Sequence, residues 1–392
     1  MQSSLESRLR EELEQISESG NLRKFTHYDH QGKYIMVNNQ RMLNLSSNDY
    51  LGIASDSDIK ESFLAIANRS EALPTSSSSR LLSGNFPEFE ELEALLSSLY
   101  DSDASLVLNC GYHANTGILP AISTKNTLIL ADKLVHASLI DGLRLCEAKY
   151  IRYRHNDYTQ LEELVSKYSS EYDEVIVVVE SVYSMDGDIT DLQRLVEIKK
   201  NHPQMMLYVD EAHGVGCFGD KGLGVAEEQG CIKDIDFLVG TFGKALASVG
   251  AFLICSNIIK QYLINKMRPL IFTTAMPPIN AAWCSYIMRK SVGMGERRKH
   301  LKKIEARIQS VLLECGINSK IESQIVPIIG GDATDTIKIG EEFKRKGFLC
   351  SVVRPPTVPV GTSRLRLSLM ANLEDTEVDR LCEVIKDVFN NR

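Results

Sequence analysis

Short apolar runs recur along the chain at 105–108, 127–130, 150–153, 175–179, 205–209, 237–239 and 251–255, with helix-length segments between most of them. The run Val175-Ile176-Val177-Val178-Val179 is continuous rather than alternating, as expected of a strand covered on both faces. Strands alternating with helices predict a parallel sheet with helices on both sides, whose chemistry lies beyond the C-terminal ends of the strands. Leu5, Leu9, Leu13 and Ile16 fall at helical spacing, so an amphipathic helix opens the chain. Beyond Trp283 the texture changes. A long charged helix at 292–315 precedes short strands near 325–329, 348–353 and 364–369, which predicts a smaller α+β unit joined by the N-terminal arm.

Composition leaves this α/β reading in place and narrows the rest. The chain has 392 residues, 43% hydrophobic and 24% charged, enough to bury large cores. A net charge of −8 gives no bulk attraction to nucleic acid. The densest basic run, Arg297-Arg298-Lys299-His300-Leu301-Lys302-Lys303, lacks interleaved aromatics and is read as a solvated helix face. Nine cysteines occur without a Cys-x-x-Cys pair, which predicts free thiols rather than a disulfide framework or a metal site. The opening Met1-Gln2-Ser3-Ser4-Leu5-Glu6 carries no apolar signal core, and the uncharged stretches at 104–124 and 269–288 are interrupted by Gly, Asn and Pro. A cytoplasmic protein without membrane association is expected.

Two motifs invite nucleotide readings. Gly214-Val215-Gly216-Cys217-Phe218-Gly219 matches G-x-G-x-x-G, but Asp210-Glu211-Ala212-His213 separates it from the preceding strand, and Asp220-Lys221-Gly222-Leu223-Gly224 is a poor helix start. Asp210-Glu211-Ala212-His213 itself spells the acidic box of a helicase-type ATPase. Neither Gly32-Lys33 nor Gly243-Lys244 continues with the Ser or Thr that a phosphate loop requires, so an ATP-driven motor is the weaker reading.

Asp210 and Lys244 together suggest different chemistry. Asp210 stands at the mouth of the buried run 205–209, where a carboxylate needs a partner. Lys244 sits in the glycine turn Gly240-Thr241-Phe242-Gly243-Lys244 between two apolar strands, where burial favours the neutral amine. Pyridoxal phosphate chemistry needs a Schiff-base lysine, an acid beside the pyridinium nitrogen, a phosphate anchor of backbone N–H groups at a helix start, and a group to stack on the ring. Cys110-Gly111-Tyr112-His113-Ala114-Asn115 supplies a candidate anchor, and His136 a candidate stacking group, each just beyond a predicted strand.

These residues, with Leu45-Ser46-Ser47-Asn48-Asp49-Tyr50-Leu51-Gly52, Ser79-Arg80-Leu81-Leu82-Ser83-Gly84, Ser184-Met185-Asp186-Gly187-Asp188 and Phe272-Thr273-Thr274, resemble in order the pyridoxal-phosphate-dependent α-oxoamine synthases. The resemblance runs from about 43 to 369 and implies α/β fold type I of such enzymes. It implies an N-terminal helix and arm over 1–50, a large cofactor-binding domain with a mainly parallel seven-stranded sheet over 51–285, and a small C-terminal α+β domain over 286–392. Lys244 would carry the cofactor and move the Cα proton; Asp210 would pair with the ring nitrogen and His136 would stack on the ring. His213 and Ser184 would lie near the phenolic oxygen, with His213 also placed to polarise a thioester. Gly111, Tyr112 and Thr241 would hold the phosphate, and Thr273 would reach that of a neighbouring subunit, which implies a homodimer. Asn48 and Arg354 would bind the amino acid, and Arg23 would face the acyl substrate.

Within the family, Arg354-Pro355-Pro356-Thr357-Val358-Pro359 followed by Gly361-Thr362-Ser363-Arg364-Leu365-Arg366 most resembles members of biotin synthesis that condense L-alanine with a pimeloyl thioester, on coenzyme A or acyl carrier protein. Members that join glycine to acetyl-CoA are the alternative. Thr75-Ser76-Ser77-Ser78 stands where many relatives have glycines, and Phe86 where many have histidine. Arg364 and Arg366 are expected to be structural.

Overall fold

The computed structural model describes residues 4–18, 21–67 and 73–389; the opening residues 1–3 lie outside them. The apolar stripe at the N-terminus does form a helix, Ser4–Glu18, with Leu5, Leu9, Leu13 and Ile16 all exposed. Three arm strands follow: β1 (Asp29–Gln31), β2 (Tyr34–Val37) and β3 (Gln40–Asn44).

All seven predicted apolar runs become strands of one sheet. They are β4 (Ala104–Leu108), β5 (Thr127–Asp132), β6 (Lys149–Tyr153), β7 (Glu174–Glu180), β8 (Met205–Asp210), β9 (Phe237–Thr241) and β10 (Ala251–Cys255), in the order β4-β10-β9-β8-β7-β5-β6. Six strands run in one direction; β10 runs antiparallel to both of its neighbours. The continuous apolar run in β7 has a direct explanation. Val175, Val177 and Val179 pack into the core on one face of the sheet, while Ile176 and Val178 pack into the core on the other.

In the C-terminal part, β11 (Ile325–Gly331), β12 (Phe348–Leu349), β13 (Ser351–Val353) and β14 (Ser363–Ser368) divide between two small sheets. β11, β14 and β13 form one, and β12 pairs in parallel with β3 of the arm. The predicted run 348–353 is thus two strands serving different sheets.

The basic run departs from its sequence reading. The charged helix spans Gly295–Glu314 and follows a separate helix, Pro278–Val292. Arg298 is buried, not solvated: its guanidinium donates to Ser291 O at 2.8 Å, to Val292 O at 3.1 Å and to Asp220 O. It therefore adds donors to carbonyls where the preceding helix ends. Arg297 pairs with Asp56 and donates to Leu51 O at 2.9 Å.

Gly214–Gly219 forms a tight turn rather than a strand-to-helix junction, with φ of 88° at Gly216 and 81° at Gly219. All nine cysteines are free. Among the described residues no helix is long and apolar enough to cross a membrane, and no cluster of His, Cys, Asp or Glu could hold a metal ion.

Candidate active site

The site is assembled where strands of the large sheet end. β7 ends at Glu180 and β8 at Asp210, and the two are paired in register. β9 ends at Thr241 and runs into the turn that carries Lys244. Phe242 N donates to Gly250 O at 3.0 Å, Ser248 N to Phe242 O at 2.9 Å and Ala247 N to Lys244 O at 2.9 Å. These bonds fix the lysine's backbone, and Gly250 permits the turn: its φ is 116°, and a Cβ there would lie 2.4 Å from the Met276 side chain.

Asp210 is buried and accepts from Asn115 Nδ2 at 2.8 Å and from Ala212 N at 2.9 Å. Asn115 also donates to Ser138 Oγ at 2.9 Å and accepts from Tyr208 Oη at 2.7 Å. Ser138 lies 2.8 Å by its Oγ from His136 Nδ1, and its N–H donates to the same nitrogen at 3.1 Å. His136 is thereby tied to Asp210 through two neutral side chains, while its ring remains exposed. Close packing of two helices makes the link possible. A Cβ at Gly142, in the helix Ala137–Leu145, would sit 2.3 Å from Asn115 O in the helix Gly111–Ile122. The His136 N–H donates to Glu180, whose carboxyl is pushed well above the usual range by burial and by the neighbouring Asp210.

Lys244 Nζ lies 2.7 Å from His213 Nε2. Burial lowers the lysine's pKa to about 8, against the opposing pull of Asp210 and Glu180. His213 is held well below its ordinary value by burial and by the positive Lys244 and Arg366, so the imidazole is neutral. Its Nδ1 is 2.7 Å from Tyr50 Oη, which also lies 3.0 Å from Asn48 Oδ1. Arg366 reaches Tyr50 Oη at 3.2 Å and Asn48 Oδ1 at 3.4 Å, and its Nε donates to Ser184 O at 2.6 Å. The sequence reading placed Arg366 among structural residues; its guanidinium in fact stands beside Asn48.

The Glu211 carboxylate accepts from Val225 N at 3.1 Å and Ala226 N at 2.7 Å, which gives the acidic box a structural partner within the fold. Thr241 Oγ1 donates to Gly250 O at 2.9 Å and accepts from Gly243 N at 3.1 Å. Arg354 and Arg23 line a separate groove of about 650 Å³ with Leu13, Ile16, Met185 and Val352. Thr273 lies in the bend after the short helix Arg268–Ile271, beside the exposed Phe272.

Pyridoxal phosphate fits this donor set. The helix Gly111–Ile122 presents its first N–H groups at Gly111, where an added Cβ would meet nothing within 4 Å, so the approach is open to an anion. An amine biased toward its neutral form, a carboxylate braced by two donors and an exposed imidazole complete the requirements of the ring and its aldehyde. Fold and site together define a fold-type-I enzyme dependent on pyridoxal phosphate.

The comparisons agree and narrow this class. The sequence profile of the aminotransferase class I and II family matches residues 40–385. The chain belongs to that family, and within it to the α-oxoamine synthases, which are pyridoxal-phosphate-dependent acyltransferases. It is 50% identical over 367 residues, 93% of this chain and 96% of the other, to a Glaesserella parasuis protein named "Putative 8-amino-7-oxononanoate synthase". A Pasteurella multocida protein of the same name is 45% identical over 379 residues, 96% of this chain and 98% of the other. The solved serine palmitoyltransferase of Sphingomonas wittichii superposes with a TM-score of 0.89 at 30% identity, covering 99% of this chain and 98% of that one. The Francisella tularensis 8-amino-7-oxononanoate synthase gives a TM-score of 0.75 at 24% identity, covering 89% and 98%, and supports the fold.

Four residues of the site were not singled out from sequence, Glu180, Asn115, Ser138 and Tyr50, and Arg366 was named only as structural. Asn115, Ser138 and Tyr50 each lie inside a motif that was recognised. Glu180 alone ends a buried strand beside Asp210, and a carboxylate in that position was the available signal.

Proposed function

We propose that the chain condenses L-alanine with a pimeloyl thioester to give 8-amino-7-oxononanoate, carbon dioxide and the free thiol of coenzyme A or of an acyl carrier protein. The observation that carries the acyl-transfer chemistry is the Lys244 amine, lowered to about 8, against a neutral His213 and close to buried Asp210. The choice of alanine and a pimeloyl thioester is supported by the two relatives at 45–50% identity.

When bound, pyridoxal phosphate supplies an aldehyde for amines and a ring that accepts electrons from a carbanion. Lys244 would hold it and then, as a neutral amine at moderately alkaline pH, take the Cα proton of the amino acid. Asp210, fixed by Asn115 and Ala212, would present its negative charge to the ring nitrogen, and His136 would cover the ring. The N–H groups of Gly111 and Tyr112, with the Thr241 hydroxyl, would hold the phosphate. Arg366, which reaches Asn48, would receive the amino-acid carboxylate with it, and Arg354 is the second candidate. Ser184 carries Arg366 on its carbonyl, and His213 is placed to polarise the thioester. The groove is lined by apolar side chains together with Arg23 and Arg354, which suits an acyl chain that ends in a carboxylate.

A homodimer belongs to the same reading. Leu82 is 83% exposed and Phe272 70%, and their segments lie together: Ala275 N donates to Ser78 O at 2.9 Å and Asn109 Nδ2 to Thr274 O at 2.7 Å. An apolar surface around the proposed phosphate anchor suits a second copy, which would bring its own Thr273 to this site. A cytoplasmic location accords with these substrates.

Mass spectrometry of the product formed from alanine and pimeloyl thioester tests the assignment. A mass matching 8-amino-7-oxononanoate is expected. Turnover confined to glycine with acetyl-CoA, or to serine with a long-chain acyl-CoA, would replace it with another α-oxoamine synthase.

A further inference from the structure

Tyr50 is fully buried, and its hydroxyl has three polar neighbours at or within 3.2 Å: His213 Nδ1 at 2.7 Å, Asn48 Oδ1 at 3.0 Å and Arg366 Nη2 at 3.2 Å. A guanidinium can only donate, so Arg366 occupies a lone pair of the phenol oxygen and turns its proton away. Two acceptors remain for that proton. Asn48 Oδ1 already receives both terminal nitrogens of Arg366 at 3.4 Å, and it is the more distant of the two. The short contact to His213 Nδ1 therefore takes the phenol proton.

A neutral imidazole that accepts at Nδ1 carries its hydrogen at Nε2. That nitrogen faces Lys244 Nζ at 2.7 Å. The N–H then meets the lone pair of a neutral amine, whereas an ammonium would present a hydrogen to a hydrogen. We infer that Tyr50 is a positioning residue that fixes which nitrogen of His213 carries the proton, and thereby biases the Lys244 amine toward its acceptor form.

The charges around the chain of contacts are consistent with this. Burial raises the Tyr50 pKa to about 12, so the hydroxyl keeps its proton, with Arg366 and Gln324 acting in the opposite sense. His213 faces Arg366 and His136, which oppose a second proton on its ring, as Lys244 does whenever it is charged. Lys244 faces Asp210 and Glu180, which favour its charged form, and Arg366, which does not. Gln324 Nε2 donates to His213 O at 2.8 Å and fixes the backbone under the ring.

The inference rests on Lys244 as the reactive amine but not on the choice of substrates. In the cofactor-free protein, acetic anhydride labelling of Lys244, followed by peptide mass spectrometry across pH, reads the amine's midpoint directly. In Tyr50→Phe, which keeps the ring that fills the core, the midpoint is expected to rise by about one pH unit, because His213 is then free to accept from an ammonium. A midpoint that stays or falls overturns the role. Nitrogen-15 NMR of histidine-labelled wild-type protein, with His213 assigned by His213→Asn, is expected to show the proton on Nε2. A proton on Nδ1 overturns the role even if Tyr50→Phe fails to fold. A shifted midpoint without product from alanine would remove the substrate assignment alone; product with an unshifted midpoint would remove the Tyr50 role alone.

Discussion

Glu180 and Asp210 stand side by side at the ends of β7 and β8, two buried carboxyl groups paired in register, and they carry different work. Asp210 accepts from Asn115 and Ala212; Glu180 is pushed well above the ordinary carboxyl range, first by burial and then by Asp210, and accepts the His136 N–H. A neutral Glu180 can be copied by an amide. Glu180→Gln is expected to retain cofactor affinity within about threefold, while Glu180→Ala leaves the His136 N–H unpaired and costs about 1–3 kcal/mol of stability in urea unfolding. Equal losses in both variants would show that Glu180 acts through its charge.

Lys244→Ala removes the amine proposed to hold the cofactor and move the proton. Product formation is expected to fall by at least roughly a thousandfold, and the purified protein to lose its visible absorbance band. A colourless variant turning over at the wild-type rate would refute the assignment.

The two candidate carboxylate sites separate kinetically. Arg366 stands at Asn48, and Arg354 lines the groove with Arg23. Arg366→Lys loses the planar fork and is expected to raise the KM for alanine about tenfold. Arg354→Lys is expected to raise the KM for the acyl thioester instead. The reverse pattern would exchange the two roles.

His155 is expected to make stability fall in alkali. It lies 2.9 Å from Asp132 and 2.7 Å from Asp188; burial lowers its pKa, but the two carboxylates outweigh that and lift it from 6.5 to about 10. A raised pKa means that the folded state holds the proton more tightly. The stabilisation is complete below about 6.5 and is lost as pH rises through about 10. Thermal melting should therefore fall between these values in the wild type, and fall less in His155→Gln. Parallel profiles would exclude the imidazolium.

Much of this was legible beforehand for a physical reason. β7 and β8 are covered on both faces, so their apolar runs are continuous, and the polar residue that ends each run marks the edge of the core. Asp210 was singled out by such an ending, and Lys244, His136 and His213 by the motifs around them. Arg298 shows the opposite case. Its neighbours in sequence are charged, and nothing local announces that it turns inward to the carbonyls of Ser291 and Val292.

The order of residues by itself determined the seven strands and their mainly parallel sheet, and singled out the amine proposed to react, because periodicity and strand ends are local properties. Tertiary structure alone decided that Arg366 meets Asn48 across 318 positions, that Tyr50 meets His213 across 163, and that Asn115 joins Asp210 to Ser138. Those partners are selected by the packing of distant elements, and hydrogen bonds between side chains leave no period in the sequence.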